Sequence, residues 1–338
     1  MKKSVSVGIP VYNVEKYIEH CLKSLFEQSI ASQIEFIIVD DCSPDNSMTV
    51  VDSVCKKHPE LDINIFHHKK NMGLAAARNT ILDNSSCDYI VFVDSDDWAS
   101  PNYIEKLYKC AIENASDIVI CSTYRTKYNS LETDDKIKKP LSIRRAKKCA
   151  NSNEYISALL RENKNASMWC KLIKRSLIES NSIRWTEKND MGEDTIITTK
   201  LFYYAHNIQV VQEPLYYHFF NISSLTNSSY DKKGSELFKA CKEIESFLST
   251  LPETENKIFY EDILYLKLRI KRQVLEKVRD RKKYYKIYPE TDSVVWKAYW
   301  IAFHMRLAIF LGMRSRFLTE IIFAMRSFKR LFKKDKAN

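Results

Sequence analysis

Tyr89-Ile90-Val91-Phe92-Val93-Asp94-Ser95-Asp96-Asp97-Trp98 begins as a buried β-strand and closes on three carboxylates within four positions. A strand end is a rigid platform, and acids crowded there repel one another unless a cation or a donor-rich ligand neutralises them. The Asp-x-Asp spacing puts Asp94 and Asp96 on the same side of an extended segment, where both can face one ion or one ligand hydroxyl. Oxygen-only ligands suit Mg²⁺ or Mn²⁺, which commonly bridge such carboxylates to a substrate diphosphate. The competing reading is an acidic turn that caps the helix expected after Pro101.

Outward from this strand the apolar periodicity alternates between two and 3.6 residues. Upstream, strands are expected over Ser4–Ile9, Ile34–Val39 and Leu61–His67, and helices over Val14–Gln28 and Asp45–Lys57. Ser43 and Pro44 read as the N-cap and first residue of the second helix. A short Ala-rich helix opens within Asn71–Asn79. Downstream come helix Asn102–Asn114 and strand Asp117–Cys121. The β-α-β order implies a parallel sheet with right-handed crossovers, in which ligands bind outside the carboxyl ends of the strands. Pro10-Val11-Tyr12-Asn13, Asp40-Asp41 and Asp94-Ser95-Asp96-Asp97 all fall on that edge. Three polar clusters on one rim weigh against a purely capping role for the acids.

Arg125–Asn151 is polar and reads as a surface excursion, followed by helix Ser152–Glu162. Ser167–Ile173 looks strand-like and leads into helix Arg175–Glu179. Gly192-Glu193-Asp194 stands at the start of helix Thr195–Ala205, where acids favour the helix dipole, so ordinary capping is one reading of that pair. Ile208–Gln212 and Leu215–Phe220 read as a closing pair of strands around Glu213-Pro214. From Tyr230 onward the pattern is helical: Ser235–Leu248, Asn256–Arg281, and an aromatic-rich stripe over Ser293–Phe332 that finishes Lys329-Arg330-Leu331-Phe332-Lys333-Lys334.

The formal charge of +10 is concentrated at the end of the chain, where 14 Lys and Arg stand against five Asp and Glu from Asp280 onward. Such a tail points to an anionic surface. The chain carries no helix-turn-helix, RNP or zinc signature, which disfavours nucleic acid. Nine Cys with no regular spacing and no evident secretory leader read as reduced thiols in the cytoplasm.

The segments SVGIPVYNVEKYIEHCLKSLFEQS, IEFIIVDDCSPDNS, NMGLAAARN, YIVFVDSDDW, WCKLIKRSLI and GEDTIITTKL, in this order across roughly residues 4–226, resemble family-2 glycosyltransferases of the GT-A fold. The resemblance implies an α/β domain over residues 1–228, with a Rossmann-like, mostly parallel sheet flanked by helices, and a helical C-terminal region over 229–338. It implies an inverting, hexosyl-type transfer from a nucleotide-diphosphate donor, a UDP-sugar by preference, to a glycan or lipid-linked acceptor. The setting implied is the synthesis of capsule, exopolysaccharide or lipopolysaccharide. Residue by residue, it places Pro10, Tyr12 and Asp41 at the nucleotide base and Arg78 near the base or phosphates. Asp94 falls to the ribose and the metal, and Asp96 to a Mn²⁺ or Mg²⁺ bridging the diphosphate. Lys171 falls to the donor phosphate or acceptor. Asp194, paired with Glu193, is the implied general base. Two departures stand out: Cys42 occupies a position that is often Gly, and His218-Phe219-Phe220-Asn221 replaces a tract that often holds an Arg. His218 is either a further metal or phosphate ligand or a packed core residue. Asp97 is assigned to structure.

Two expectations extend beyond the motifs. Residues 293–334 can pack their aromatic stripe on the catalytic domain or on a second subunit, or lie at the cytoplasmic face of the inner membrane as a basic interfacial helix. The rival to an enzyme is a noncatalytic nucleotide-sugar-binding or membrane scaffold protein of the same fold, which the presence of Asp94, Asp96 and Asp194 disfavours.

Overall fold

The computed structural model describes residues 3–126, 142–186, 191–219, 230–277, 284, 286–297, 307 and 309. It divides into two compact units, Met1–Asn227 and Ser228–Asn338.

The first unit is built on strands β1 (Val5–Val11), β2 (Ile34–Asp40), β3 (Asp62–His67) and β4 (Tyr89–Phe92). They pair in parallel in the spatial order β3-β2-β1-β4. β1 and β4 are buried at every position and β2 at all but its last, as strands covered on both faces require. The sheet continues through β8 (Lys171–Lys174), β6 (Ile118–Thr126), β9 (Ile208–Phe219) and β5 (Trp98–Ala99), with β7 (Ser142–Arg144) paired to β6. β6 and β9 run with the first four strands, whereas β5, β7 and β8 run against them. The sheet is therefore mixed. β8 starts at the rim where β4 ends.

Helices α1 (Ile18–Phe26), α2 (Ser47–Cys55), α3 (Leu74–Asp83), α4 (Tyr103–Glu113), α5 (Ser152–Glu162), α6 (Arg175–Ser180) and α7 (Glu193–Tyr204) cover the sheet. α3 lies so close to β1 that a Cβ on Gly8 would stand 2.2 Å from Ile81 Cγ2. Only glycine permits that approach.

Three local expectations need correction. α2 begins at Ser47, with Asn46 ahead of it and no side-chain cap. Asp45 gathers the Ser43 hydroxyl, the Ser47 amide and hydroxyl and the Glu15 amide, so the chain turns there before the helix starts. Met168–Cys170 forms a 3₁₀ turn and the strand starts only at Lys171. The two closing strands are one, β9, which absorbs Glu213-Pro214 in an irregularity where its pairing with β6 shifts register.

The second unit contains α8 (Tyr230–Ser249) and α9 (Glu253–Lys277), followed by a 3₁₀ turn at Pro289–Ser293. Lys267 of α9 reaches Glu245 of α8 at 2.8 Å and Glu290 of the turn at 2.9 Å, tying the three together. Among the described residues no helix is long and apolar enough to cross a membrane. The amphipathic stripe expected over residues 293–334 falls almost wholly outside the described residues.

Candidate active site

At the rim the ends of β1 and β2 are stitched together. The Asp41 amide donates to the Val11 carbonyl at 2.9 Å, and the Ser43 and Ser47 hydroxyls accept from the Asn13 and Val14 amides. Tyr12, just past Pro10 and Val11, is 46% exposed, so an aromatic face is presented to solvent. Cys42 holds φ at 58°, the left-handed conformation that glycine takes without strain. The chain thus keeps the shape of the turn while lacking the glycine. Asp41 is buried, and its carboxylate accepts from the Met72 and Gly73 amides at 2.8 Å each and is hydrogen-bonded to His68 Nδ1 at 2.7 Å. Three of its four lone-pair positions are thereby used in fixing the loop ahead of α3.

After β4 the chain makes a tight turn, with the Asp97 amide donating to the Asp94 carbonyl at 3.0 Å. Asp97 points inward and accepts from the Phe219 amide at 2.7 Å, which fastens the end of β9 to the acidic turn. Burial, and then the charges of Asp96 and Asp94, hold its carboxyl well above the usual range. The Asp94 amide donates to the Tyr216 hydroxyl at 3.2 Å. Asp94 and Asp96 are left partly exposed at the mouth.

The centre of the site is Arg78, on α3 and 1% exposed. Its Nη1 donates to Asp194 Oδ1 at 2.6 Å and lies 3.6 Å from Glu193 Oε1, while Nη2 donates to Asp94 Oδ1 at 3.2 Å. Acids that are 100 positions apart in sequence are thus gathered by one guanidinium. The planar fork of Arg suits this, whereas a lysine ammonium offers a single point of charge. Arg78 is buried, and its guanidinium faces these three carboxylates. Gly192 positions the pair: its φ of 87° turns the chain into α7 and sets Glu193 and Asp194 in the first turn. Burial, with the Asp194 charge beside it, pushes the Glu193 carboxyl up to about 8 against the pull of Arg78. At neutral pH Glu193 therefore holds its proton. The Met168 amide donates to Asp194 Oδ2 at 3.2 Å, which fixes the second oxygen.

Lys171 is fully buried, and its ammonium donates to the Ser167 carbonyl. Burial lowers its pKa. The side chain braces the 3₁₀ turn that carries Met168. Trp169 of that turn stacks on Tyr216 at 4.8 Å and on His218 at 5.1 Å. Burial, aided by Arg125 and Arg144, lowers the His218 pKa to about 4, so the ring is neutral and packed at physiological pH.

Among the described residues no group of three or more His, Cys, Asp and Glu is arranged to hold an ion unaided. Mg²⁺ and Mn²⁺ do not need one, because they are commonly held by one or two carboxylates together with substrate phosphates. Asp96 at the mouth and the partly exposed Asp94 carboxylate behind it form an oxygen-only set of that kind. The residues present fit such an ion.

Several organising residues gave little sequence signal. Asn79 brackets Trp185, donating to its carbonyl at 2.9 Å and accepting from its amide at 3.0 Å. Tyr216 and the Met168 amide hold Asp94 and Asp194 in place. The Asn79 position, next to Arg78 in the AARN run, is the one such signal visible in the sequence.

The family model for glycosyl transferase family 2 matches residues 6–179. Glycosyltransferase GlyA of Streptococcus pneumoniae is 30% identical over 276 residues, covering 78% of this chain and 38% of that protein. The chain thus spans well under half the length of that relative. The crystal structure of Staphylococcus aureus TarS 1–349 in complex with UDP-GlcNAc superimposes with a TM-score of 0.63 at 20% identity, covering 92% of this chain and 87% of that one. The mannosyltransferase PcManGT of Pyrobaculum calidifontis, in complex with GDP-Man and Mn²⁺, gives 0.55 at 15% identity, covering 99% and 88%. The first unit has the GT-A fold, and a helical region follows it.

Proposed function

The chain belongs to glycosyl transferase family 2, and on that premise we propose that it moves a hexose from a nucleotide-diphosphate donor of the UDP-sugar type to a glycan or lipid-linked acceptor, with inversion. The observation that carries this reading is the convergence of Asp94, Glu193 and Asp194 on Arg78, with the partly exposed Asp96 at the same carboxyl rim of the sheet. Tyr12 and Asp41 offer an aromatic face and a fixed acceptor for the base, and Asp94 an acceptor for the ribose. A divalent ion on Asp96 supplies neutralisation of the charge that develops on the departing diphosphate. Asp194 accepts the proton of the acceptor hydroxyl as that oxygen bonds to the anomeric carbon and the bond to the diphosphate breaks. One displacement of this kind inverts the centre. Arg78 orients Asp194, and the proton held on Glu193 spares the node a further negative charge.

Asp194→Asn is expected to lower kcat by at least roughly 100-fold, the usual worth of a positioned base, with UDP affinity retained in a calorimetric titration. Asp96→Ala is expected to abolish both the Mn²⁺-dependent gain in UDP affinity and UDP-sugar hydrolysis. Full transfer by Asp194→Asn would sink the assignment of the base. Hydrolysis by neither wild type nor variant, with donor still bound, would favour the noncatalytic binding protein. Placement at the cytoplasmic face of a membrane, in polysaccharide synthesis, rests on the basic stripe of residues 293–334. Replacing Lys329, Arg330, Lys333 and Lys334 by Gln in the full chain should release it from anionic vesicles; unchanged sedimentation with vesicles would rule that placement out.

A further inference from the structure

Trp185 has no role in the chemistry described so far, yet it stands against the node at Arg78. It belongs to the segment that leads from α6 toward Gly192 and the Glu193–Asp194 pair. Ile183 and Trp185 are each 2% exposed, while Arg184 between them reaches the surface. The Ile183 amide donates to the Ile178 carbonyl at 2.9 Å, which closes the segment onto α6. α3 fixes it from the other side. The Asn79 side chain donates to the Trp185 carbonyl at 2.9 Å and accepts from the Trp185 amide at 3.0 Å, so one amide holds both backbone groups of one residue. One turn along α3, Asp83 lies 3.4 Å from the Arg184 guanidinium, an exposed pair that adds little by itself.

This backbone clamp places the indole. The ring centroid stands 5.9 Å from Arg78 Cζ, within cation–π range. The same ring meets Phe92 edge-on, at 4.9 Å and 68°. Phe92 ends β4, two residues before Asp94. Trp185 therefore packs against both the arginine of α3 and the strand that carries the acidic turn. The Nη atoms of Arg78 face Asp94, Glu193 and Asp194, whereas its buried Nε has no hydrogen-bond partner among the described residues. The carboxylates thus grip the guanidinium at its Nη atoms alone. A grip at that edge leaves the plane free to tilt, and an aromatic ring against it restricts the tilt. With Arg78 1% and Trp185 2% exposed, the contact is desolvated, the setting in which it is strongest.

Resting on the transferase reading above, we infer that Trp185 is a positioning residue for transfer: its indole seats the Arg78 guanidinium and, through it, sets where the Asp194 carboxylate stands. Asn79 acts one step further back, by holding the backbone that aims the ring. Trp185 acts through Arg78 and not on the donor, so it governs rate more than donor affinity, because a small misplacement of a reacting group costs rate steeply.

The test uses the full chain and three readouts: hydrolysis of UDP-GlcNAc and UDP-glucose, UDP affinity by calorimetry, and the assigned Arg78 Nε–H resonance in ¹⁵N-labelled protein. Trp185→Leu is expected to lower kcat by about tenfold or more, the worth of a desolvated cation–π contact, with UDP affinity within about twofold of wild type. Trp185→Phe keeps an aromatic face, and Trp185 Nε1 has no hydrogen-bond partner to lose among the described residues, so this variant should recover most of the rate. The indole ring current should displace the Arg78 Nε–H signal in wild type, and the signal should move in Trp185→Leu. In an Asp194→Asn background the Leu substitution should cost no more than about twofold, since both changes act on one group. Losses that multiply in full, a UDP affinity that falls in step with kcat, or a Nε–H signal unmoved by Trp185→Leu would each overturn the inference. If Trp185→Leu does not fold, Asn79→Ala, which frees the backbone and keeps the ring, is read against the same three outcomes. A wild type that hydrolyses neither sugar nucleotide counts against the transferase reading, and the Nε–H signal then decides the seating of Arg78 by itself.

Discussion

A single guanidinium under three carboxylates sets the charge state of the site. In the folded chain Glu193 keeps its proton up to about pH 8, against 4.5 for an ordinary Glu. The native state therefore binds more protons than the unfolded one between those values. This contribution to stability is complete below about pH 4.5 and declines as the pH rises toward 8. Ionisation there also adds a negative charge to the carboxylates gathered on Arg78. Donor KM is expected to climb as the pH passes about 8, and Glu193→Gln to flatten both that limb and the stability trend. A limb unchanged in the variant would assign the titration elsewhere. Cys42 offers a second test at this scale. A non-glycine residue at φ 58° is strained, and Cys42→Gly should raise stability by about 0.5–1 kcal/mol once the entropy of a freer unfolded chain is deducted. A urea midpoint that moves down would contradict this.

At the level of elements, packing of α3 on β1 is the tightest constraint. Gly8→Ala must push a methyl into Ile81 Cγ2, at a cost of about 1–3 kcal/mol for overpacking, and Ile81→Ala, which removes that methyl, should recover part of it in the same chain. Full additivity of the two losses would show that they do not share the contact. The parallel strands were legible because strands buried on both faces are continuous apolar runs that end abruptly in polar residues, as Ile34–Asp40 does. The direction of β8 was not, since a short run such as Leu172-Ile173 reads the same both ways. The 3₁₀ turn ahead of it is set by the buried Lys171 bond to Ser167, a tertiary contact. β9 stays whole across Pro214 because β6 accepts a register shift there. The identities of the acids were readable from spacing and resemblance. Their convergence on Arg78 was not, because Arg78 and Asp194 lie on separate helices and nothing local in either reveals the other.

For the whole molecule, the two compact units make different demands on a ligand. Every residue proposed for the donor lies in the first, and the second is cross-linked by Lys267 through Glu245 and Glu290. UDP with Mg²⁺ at about 100 times its Kd should therefore stabilise the first unit by about 2.7 kcal/mol and leave the second unmoved. Hydrogen exchange resolved along the sequence checks this. Protection gained in α8 and α9 alone would be incompatible with the site described.

The reversed strand β8 has one more consequence. The residues proposed for the base, ribose and metal come from a continuous stretch ending at Asp97, while the turn that carries Met168 and Trp169 is supplied by chain that returns to the rim from elsewhere. The seam between β4 and β8 is thus a line along which inheritance can divide the protein. Changes that retune what receives the sugar can accumulate on one side of it, without rewriting the lettering that recognises what gives it.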